Sequence, residues 1–261
     1  AKKEQPKVEK TTQQTKVDNS RKKRNYLLLG MLAIALAIFF YWCFGDDWIS
    51  IGIFTACIVF PVSILLEGSL TKIERSRIFV IYIIAFFVIF FWAAYEQAGA
   101  SLTLFAAEQT DRFVLGWEVP ASWIQSFNPF FVVILAAIMP GIWGFLNKRG
   151  AEPASPTKQA IGLLLLSLGY LVICFGVKDT QPGVKVSLIW LTGLYFIHTV
   201  GELCLSPIGL SMVNKLTPLR FASLMMGIWY LSMSTANKFA GTLSGLYPED
   251  GKILLAALGL I

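Results

Sequence analysis

The sequence predicts an all-α integral membrane protein with several membrane-spanning helices. Hydrophobic residues make up 56% of its 261 residues and charged residues 15%, so the composition favours repeated apolar spans over a single soluble core. The apolar residues are gathered into long runs, and most basic residues flank those runs. The net charge of +6 therefore fits cytoplasmic flanks and lipid headgroups, and we expect no nucleic-acid partner.

The first part of the chain predicts a linker followed by a helical hairpin. Residues 1–25 are rich in Lys, Gln and Thr and contain no aromatic residue, so we expect a flexible cytoplasmic segment. Within residues 26–71, two apolar runs at 26–44 and 48–66 are joined by a Gly-Asp-Asp turn. Neither run has a charge in its interior, so this region is predicted to be a lipid-facing transmembrane hairpin inserted before the main bundle.

The main bundle is predicted to occupy residues 72–261. Its apolar runs lie at residues 78–105 and at about 128–146, 159–177, 186–213 and 221–247. Connections with an excess of basic residues alternate with acidic ones, which gives a consistent topology in which the transmembrane hairpin starts and ends on the cytoplasmic side. A further apolar run begins at Lys252 and stops at Ile261, too short to cross a bilayer, so we expect the chain to be cut inside its last helix.

One carboxylate lies inside the first span of the main bundle. Glu96 interrupts the apolar run of residues 78–105, and an ionised carboxylate at the centre of a membrane costs at least about 2.5–3.5 kcal/mol. Such a group persists only beside water, a cation or a proton. Glu96 is therefore the first candidate for a functional residue.

A second acid lies deep in the span at residues 186–213. Glu202 is about midway between Lys185 and Lys215, so it should lie near the middle of the membrane, and two buried acids predict a polar cavity. The alternative is a structural carboxylate bound to a neighbouring helix. His198 lies four residues earlier on the same helical face, but a single backbone carbonyl can satisfy its ring in a packed helix, so its role stays open.

The remaining candidates each have a plain structural alternative. Trp92 lies one turn before Glu96 and Tyr95 adjoins it, so these aromatic residues can line a pocket or simply pack in the bundle. Trp229 and Ser232 share a face of the span at 221–247, with the same two possibilities. Asn128 lies at the start of its span, where its side chain can cap the helix or contact a ligand. Lys238, near the predicted outer end, can be an interfacial anchor.

Other classes of chemistry are not supported by the sequence. A single histidine in a membrane helix makes a Ser-His-Asp set untenable, no spacing typical of metal ligands occurs, and no G-x-x-x-x-G-K-[ST] motif is present. We therefore expect no enzyme activity, metal or cofactor. Energy would come from an ion gradient, with one acid exchanging a proton while the other holds a cationic group of a solute.

Four motifs carry a resemblance to a known family. FFWAAYEQAGASL, SFNPFF, HTVGELCLSPIGLS and MMGIWYLS occur in this order on successive predicted helices. The chain resembles the C-terminal half of a bacterial proton-dependent oligopeptide transporter of the major facilitator superfamily. This resemblance implies the C-terminal six-helix bundle, with its last helix truncated, preceded by the inserted hairpin.

The resemblance also implies a function and roles for individual residues. The expected function is symport of di- and tripeptides with protons across the bacterial cytoplasmic membrane by alternating access, with the N-terminal six-helix bundle as the other half. Glu96 would take part in proton coupling, and Glu202 would hold the amino terminus of the peptide. The other residues implied in peptide binding are Asn128, Trp92, Tyr95, Trp229 and, in an uncertain register, Ser232.

Two alternatives remain open at this point. The same bundle can serve as a membrane receptor or scaffold that transports nothing, with its acids retained as structure. Within transporters, nitrate or another small anion is a second possible substrate, although Glu202 would repel it. The E-x-x-E-R motif of the family and the basic partners expected for Glu96 are absent from this sequence, so we expect the chain alone to be inactive.

Overall fold

The protein is almost entirely helical in a computed structural model, which describes residues 5–178 and 184–245. It divides into two compact units, residues 1–78 and 79–261. The helices are α1 Gln5–Phe44, α2 Trp48–Leu65, α3 Lys72–Tyr95, α4 Ser101–Glu108, α5 Ala121–Ile124, α6 Phe127–Lys148, α7 Ser155–Val177, α8 Leu188–Leu216 and α9 Ala222–Ser244. The predicted domain boundary before residue 72 stays a prediction, because α3 runs continuously from that point through the division between the units.

The first unit contains the predicted helical hairpin. Gly45 turns the chain with a φ of +60°, and Asp47 caps α2 by accepting hydrogen bonds from the backbone N–H and the hydroxyl of Ser50. Phe54 of α2 packs on Phe44 of α1 with ring centroids 5.0 Å apart. The hairpin therefore forms where the two apolar runs and their polar turn predicted it.

Helix α1 begins much earlier than the sequence analysis predicted. The first 25 residues were expected to be a flexible linker, but α1 starts at Gln5 and continues unbroken to Phe44. The physical reason is local, since no Gly or Pro occurs between Lys7 and Leu29 and Lys, Gln and Glu are good helix formers. A segment too polar to bury a core can still extend a helix that an apolar run stabilises.

Long helices occupy all of the predicted spans of the main bundle that the structure describes. Six described stretches are long and apolar enough to cross a membrane, namely Ser20–Phe44, Trp48–Leu65, Lys72–Glu108, Ala121–Lys148, Ser155–Val177 and Leu188–Leu216. Helix α9 has 23 residues, but its Ser, Thr, Asn and Lys residues make it less apolar than these. The short run predicted to start an eighth span, residues 252–261, lies outside the described residues.

The first span of the main bundle is not one continuous helix, as its apolar sequence suggested. Helix α3 ends at Tyr95, a 3₁₀ turn covers Glu96–Gly99, and α4 starts at Ser101. Ala100 between them has non-helical dihedral angles, φ −124° and ψ −101°. The polypeptide therefore breaks in the middle of a membrane span, directly at the intramembrane acid.

Hydrogen bonds of side chains hold the polypeptide in place around this break. Gln97 donates from Nε2 to the carbonyl of Ala240 at 3.0 Å, and its Oε1 accepts from the hydroxyl of Ser101 at 2.6 Å. The hydroxyl of Tyr170 donates to the carbonyl of Ala94 at 2.6 Å. Irregular backbone at membrane depth requires such partners, because lipid offers none.

Short strand pairs lie in the connections at one end of the bundle. Strand β1, Thr110–Asp111, pairs in parallel with β4, Val186–Ser187. Strand β2, Phe113–Val114, pairs antiparallel with β3, Trp117–Glu118. The first pair brings the connection after α4 to the start of α8, so both loops lie at the same end of the bundle, as the predicted topology requires.

Helices α7 and α8 pack closely along a row of glycines. The row has a spacing of seven residues along α7 and consists of Gly162, Gly169 and Gly176. A Cβ atom on Gly162 would lie 2.8 Å from the carbonyl oxygen of Gly201 in α8. Small residues allow the backbones of membrane helices to approach in this way.

The same row explains the position of His198. The imidazole lies against Gly169, with its ring centroid 4.8 Å from that of Tyr170. Its Nε2 lies 3.0 Å from the carbonyl oxygen of Leu166, and the residue is only 2% exposed. His198 is therefore a packed residue satisfied by one carbonyl, the structural alternative that the sequence analysis left open.

We predict that Gly162→Ala destabilises the bundle whereas Gly193→Ala does not. The new methyl group at Gly162 would overlap the backbone of Gly201, and overpacking of this kind lowers the free energy of unfolding by about 1–3 kcal/mol. A Cβ on Gly193 would have only Val172 nearby, at 3.9 Å. Thermal unfolding of the whole protein in detergent measures both variants, and equal melting temperatures would contradict the close contact.

Candidate functional site

A carboxylate in α8 is held by hydrogen bonds from two other helices. The hydroxyl of Tyr95, at the end of α3, donates to Oε2 of Glu202 in α8. The side-chain amide of Asn128, at the start of α6, donates to the same oxygen at 3.2 Å. Among the described residues, no hydrogen bond reaches Oε1. One oxygen of Glu202 is therefore fixed by the protein, and the other is available.

Asn128 is the centre of this polar cluster. Its Nδ2 also donates to the hydroxyl oxygen of Tyr95 and to Oγ1 of Thr199, the latter at 3.2 Å. Because an amide nitrogen has two hydrogens, these three acceptors share them. Thr199 is fully buried, and its hydroxyl donates to the carbonyl of Tyr195 at 2.7 Å, which fixes it as an acceptor for Asn128.

Aromatic side chains border the cluster on the side of α3. The ring of Trp92 meets that of Tyr95 edge to face with centroids 5.3 Å apart, and Phe91 stacks on Tyr95 at 5.6 Å. Phe91 is buried, whereas Trp92 and Tyr95 are partly exposed. Trp92 is therefore positioned to contribute an apolar wall beside the carboxylate.

Glu96 lies at the first position of the 3₁₀ turn, directly after Tyr95, and its side chain is exposed. Its neighbour Gln97 is fully buried and fixes the turn, so the break in the helix directs one polar side chain inward and leaves the acid at the surface of this bundle. Tyr95, which donates a hydrogen bond to Glu202, directly precedes Glu96 in the chain. The two acids thus occupy one region with different surroundings.

In the part of the chain that the structure describes, the two candidates in α9 form no hydrogen bond or ring contact with this cluster. Trp229 is 3% exposed and packs over Gly209 of α8. Ser232 is 2% exposed, and its hydroxyl donates to the carbonyls of Ile228 and Trp229 in its own helix. Both are packed residues in this conformation, and their predicted contacts with a ligand stay predictions.

Sequence reasoning missed Thr199 and Gln97. Thr199 lies three residues before Glu202, so the helical spacing already places it on the same face, and that signal could have identified it. Gln97 is a polar residue next to the intramembrane acid, but its bond to Ala240 joins positions 143 residues apart. No local pattern predicts that contact.

Comparisons with known proteins identify the family to which the chain is similar. Residues 46–256 match the POT family. The peptide transporter YePEPT of Yersinia enterocolitica is 37% identical over a region that covers 73% of this chain and 38% of that protein. The dipeptide and tripeptide permease A of Escherichia coli is 34% identical over 66% of this chain and 34% of its own length.

Solved structures are similar over nearly the whole chain. A peptide transporter POT in complex with sulfate has a TM-score of 0.71 and 31% identity, covering 93% of this chain and 50% of that one. A POT family transporter in complex with 5-aminolevulinic acid has a TM-score of 0.73 and 28% identity, covering 91% and 51%. The chain thus spans little more than a third of those curated relatives and about half of the solved chains.

The resemblance to the family noted in the four motifs is therefore confirmed by sequence and by structure, and the assignment of the chain to the C-terminal half stays a prediction. The membrane helices and the similar solved structures give the fold as all-α and of the major facilitator type. With a match over most of its length, the chain is a multi-pass membrane protein that belongs to the POT family of transporters.

Proposed function

We propose that this chain is the C-terminal half of a proton-coupled symporter of di- and tripeptides. The observation that carries the proposal is the state of Glu202, whose Oε2 is held by Tyr95 and Asn128 while Oε1 is left for a ligand. The names of the relatives, a peptide transporter and a dipeptide and tripeptide permease, support the choice of substrate. We place the whole protein in the cytoplasmic membrane of a bacterium.

Glu202 binds the amino terminus of the peptide. A carboxylate and an ammonium group form a charge-assisted hydrogen bond, which is about twice as strong as a neutral one. Tyr95 and Asn128 fix the carboxylate before the ligand arrives, so binding requires little reorganisation. Asn128 lies beside the same carboxylate and contacts the peptide backbone, and Trp92 borders the space for a side chain.

Glu96 handles the proton. It is exposed on this bundle within an apolar span, and a carboxylate at that depth requires water, a proton or a cation. We propose that basic residues of the N-terminal bundle supply the cation in one conformation and withdraw it in another. Rocking of the two bundles around the peptide would then load and release the proton once per cycle.

We predict that Glu202→Gln in the whole protein weakens the apparent affinity for dialanine about 10- to 100-fold, which corresponds to the roughly 1.5–3 kcal/mol of a hydrogen bond to a charged group. Glutamine keeps the size and an acceptor oxygen but not the charge. Uptake of N-acetyl-dialanine, which has no ammonium group, should change little.

The matched control is Glu108→Gln, the same change at an exposed position at the end of α4, which should leave uptake unchanged. Concentration-dependent uptake into proteoliposomes measures all three proteins. The role of Glu202 would be refuted by a variant that takes up dialanine with the affinity of the native protein.

We predict that Glu96→Gln abolishes accumulation of dialanine driven by a proton gradient, while exchange of labelled for unlabelled dialanine across the membrane continues. The amide cannot exchange a proton but leaves the peptide site intact. Both assays use the same proteoliposomes. Retained accumulation would contradict the coupling role, and loss of exchange as well would assign Glu96 to binding instead.

One experiment separates the symporter from a receptor or scaffold that uses the same bundle. Proteoliposomes containing the whole native protein and an internal pH indicator receive dialanine from outside. A symporter acidifies the interior, and a scaffold gives no change. Nitrate in place of dialanine tests the second substrate class, which the negative charge of Glu202 disfavours.

A further inference from the structure

The hairpin formed by residues 113–118 has a turn that its sequence does not favour. Strands β2 and β3 are joined by Leu115 and Gly116, which have φ values of 51° and 83°. Two positive φ values define a type I′ turn, in which Asn-Gly is the preferred pair. Leu115 is the only non-glycine residue with positive φ among those described. A leucine in this conformation is strained by its own Cβ.

The strained residue is also the most exposed side chain of an apolar tip. Leu115 is fully exposed, Phe113 is 65% exposed, and Trp117 is 52% exposed. The rings of Trp117 and Trp123 meet edge to face with centroids 5.4 Å apart, so the aromatic surface continues beyond the hairpin. An apolar residue held at the tip of a strained turn indicates a contact made by that tip.

Of the three charged residues in the segment 111–118, two pair with each other. Arg112 forms an ion pair with Glu118 at 2.7 Å and donates to the carbonyl of Val119, also at 2.7 Å. Asp111 accepts from the backbone N–H of Phe113 at 3.1 Å. The hairpin therefore presents an apolar tip without a strong charge of either sign, which is unlike a surface that recognises a charged partner.

The base of the hairpin is fixed at the level where a membrane helix begins. The N–H of Val186 donates to the carbonyl of Gln109 at 2.7 Å, and β1 pairs with β4 immediately before α8. Helix α8 starts with apolar residues that are exposed, including Ile189 and Trp190. The hairpin thus leaves the bundle beside the end of an apolar span, and Trp residues are enriched at that depth.

We propose that the tip of this hairpin inserts into the headgroup boundary of the outer leaflet and anchors the loop after α4 to the lipid surface. The partner is the bilayer itself. The lipid boundary accepts a single protruding leucine flanked by aromatic rings, and the segment 113–117 carries no charged residue with which a charged protein partner could pair. The outer leaflet follows from the predicted topology, and the proposal does not depend on the substrate.

The test places a fluorescent label at the tip. In the whole protein, with its native cysteines replaced by alanine, Leu115→Cys carries an NBD label and the protein is reconstituted into phosphatidylcholine and phosphatidylglycerol vesicles. Ala151→Cys, an exposed position in the connection between α6 and α7, is the control. We expect the label at Leu115 to be blue-shifted, quenched by lipids spin-labelled near the headgroup, and about twofold or more better protected from aqueous iodide than the control.

The outcomes decide the proposal. Strong quenching by iodide without quenching by lipid would mean that the tip lies in water and would overturn it. A blue-shifted label that neither quencher reaches would mean that protein covers the tip, which would overturn it as well.

A second variant separates the role of the leucine from the fold of the hairpin. Leu115→Asn supplies a residue that the turn favours, so the hairpin should be retained while the apolar tip is lost. With the label moved to Val114→Cys, we expect quenching by lipid to fall about twofold when Leu115→Asn is added. Unchanged quenching would refute the anchoring role of Leu115.

Discussion

The structure depends on how Glu202 is kept in an apolar bundle. A carboxylate in the middle of a membrane needs hydrogen-bond donors, and this one finds them on two other helices, in Tyr95 of α3 and Asn128 of α6. The acid thereby links α3, α6 and α8 by hydrogen bonds. Such bonds matter in a membrane, because apolar helices gain little free energy when they exchange contacts with lipid for contacts with each other. The same bonds orient the partly exposed carboxylate, which suits the binding role proposed for it.

The break after Tyr95 follows from the same requirement. By ending α3 at Tyr95, the chain places that hydroxyl on Glu202, leaves Glu96 at the surface and turns Gln97 inward to the carbonyl of Ala240. A continuous helix would leave no backbone carbonyl without a partner at this point. It would also place the side chains of Tyr95, Glu96 and Gln97 about 100° apart around a single axis. The close glycine-based packing of α7 on α8 then fixes the helix that carries Glu202. A rigidly packed helix with a partly exposed carboxylate suits the proposed binding of a ligand.

Much of this arrangement was predictable from the sequence, for identifiable reasons. Apolar runs predicted the spans because a bilayer requires a minimum length, and Glu202 stood out because a charge there is costly. The early start of α1 was missed because a polar segment was judged by what it can bury rather than by its helix-forming residues. The packed positions of Trp229 and Ser232 depend on Gly209 and on the rotation of α9, which no single helix reveals. The break at Glu96 was not predictable, because Gln97 in the turn donates a hydrogen bond to Ala240, 143 residues later in the chain.

The central claim is that the free oxygen of Glu202 receives the ammonium group of a peptide. A structure of the whole protein with bound dialanine, determined by cryo-electron microscopy, tests it directly. The account predicts the amino nitrogen about 2.7–2.9 Å from Oε1 of Glu202, with Tyr95 and Asn128 still bonded to Oε2. A peptide whose amino group lies elsewhere, while Glu202 keeps only its protein partners, would contradict it.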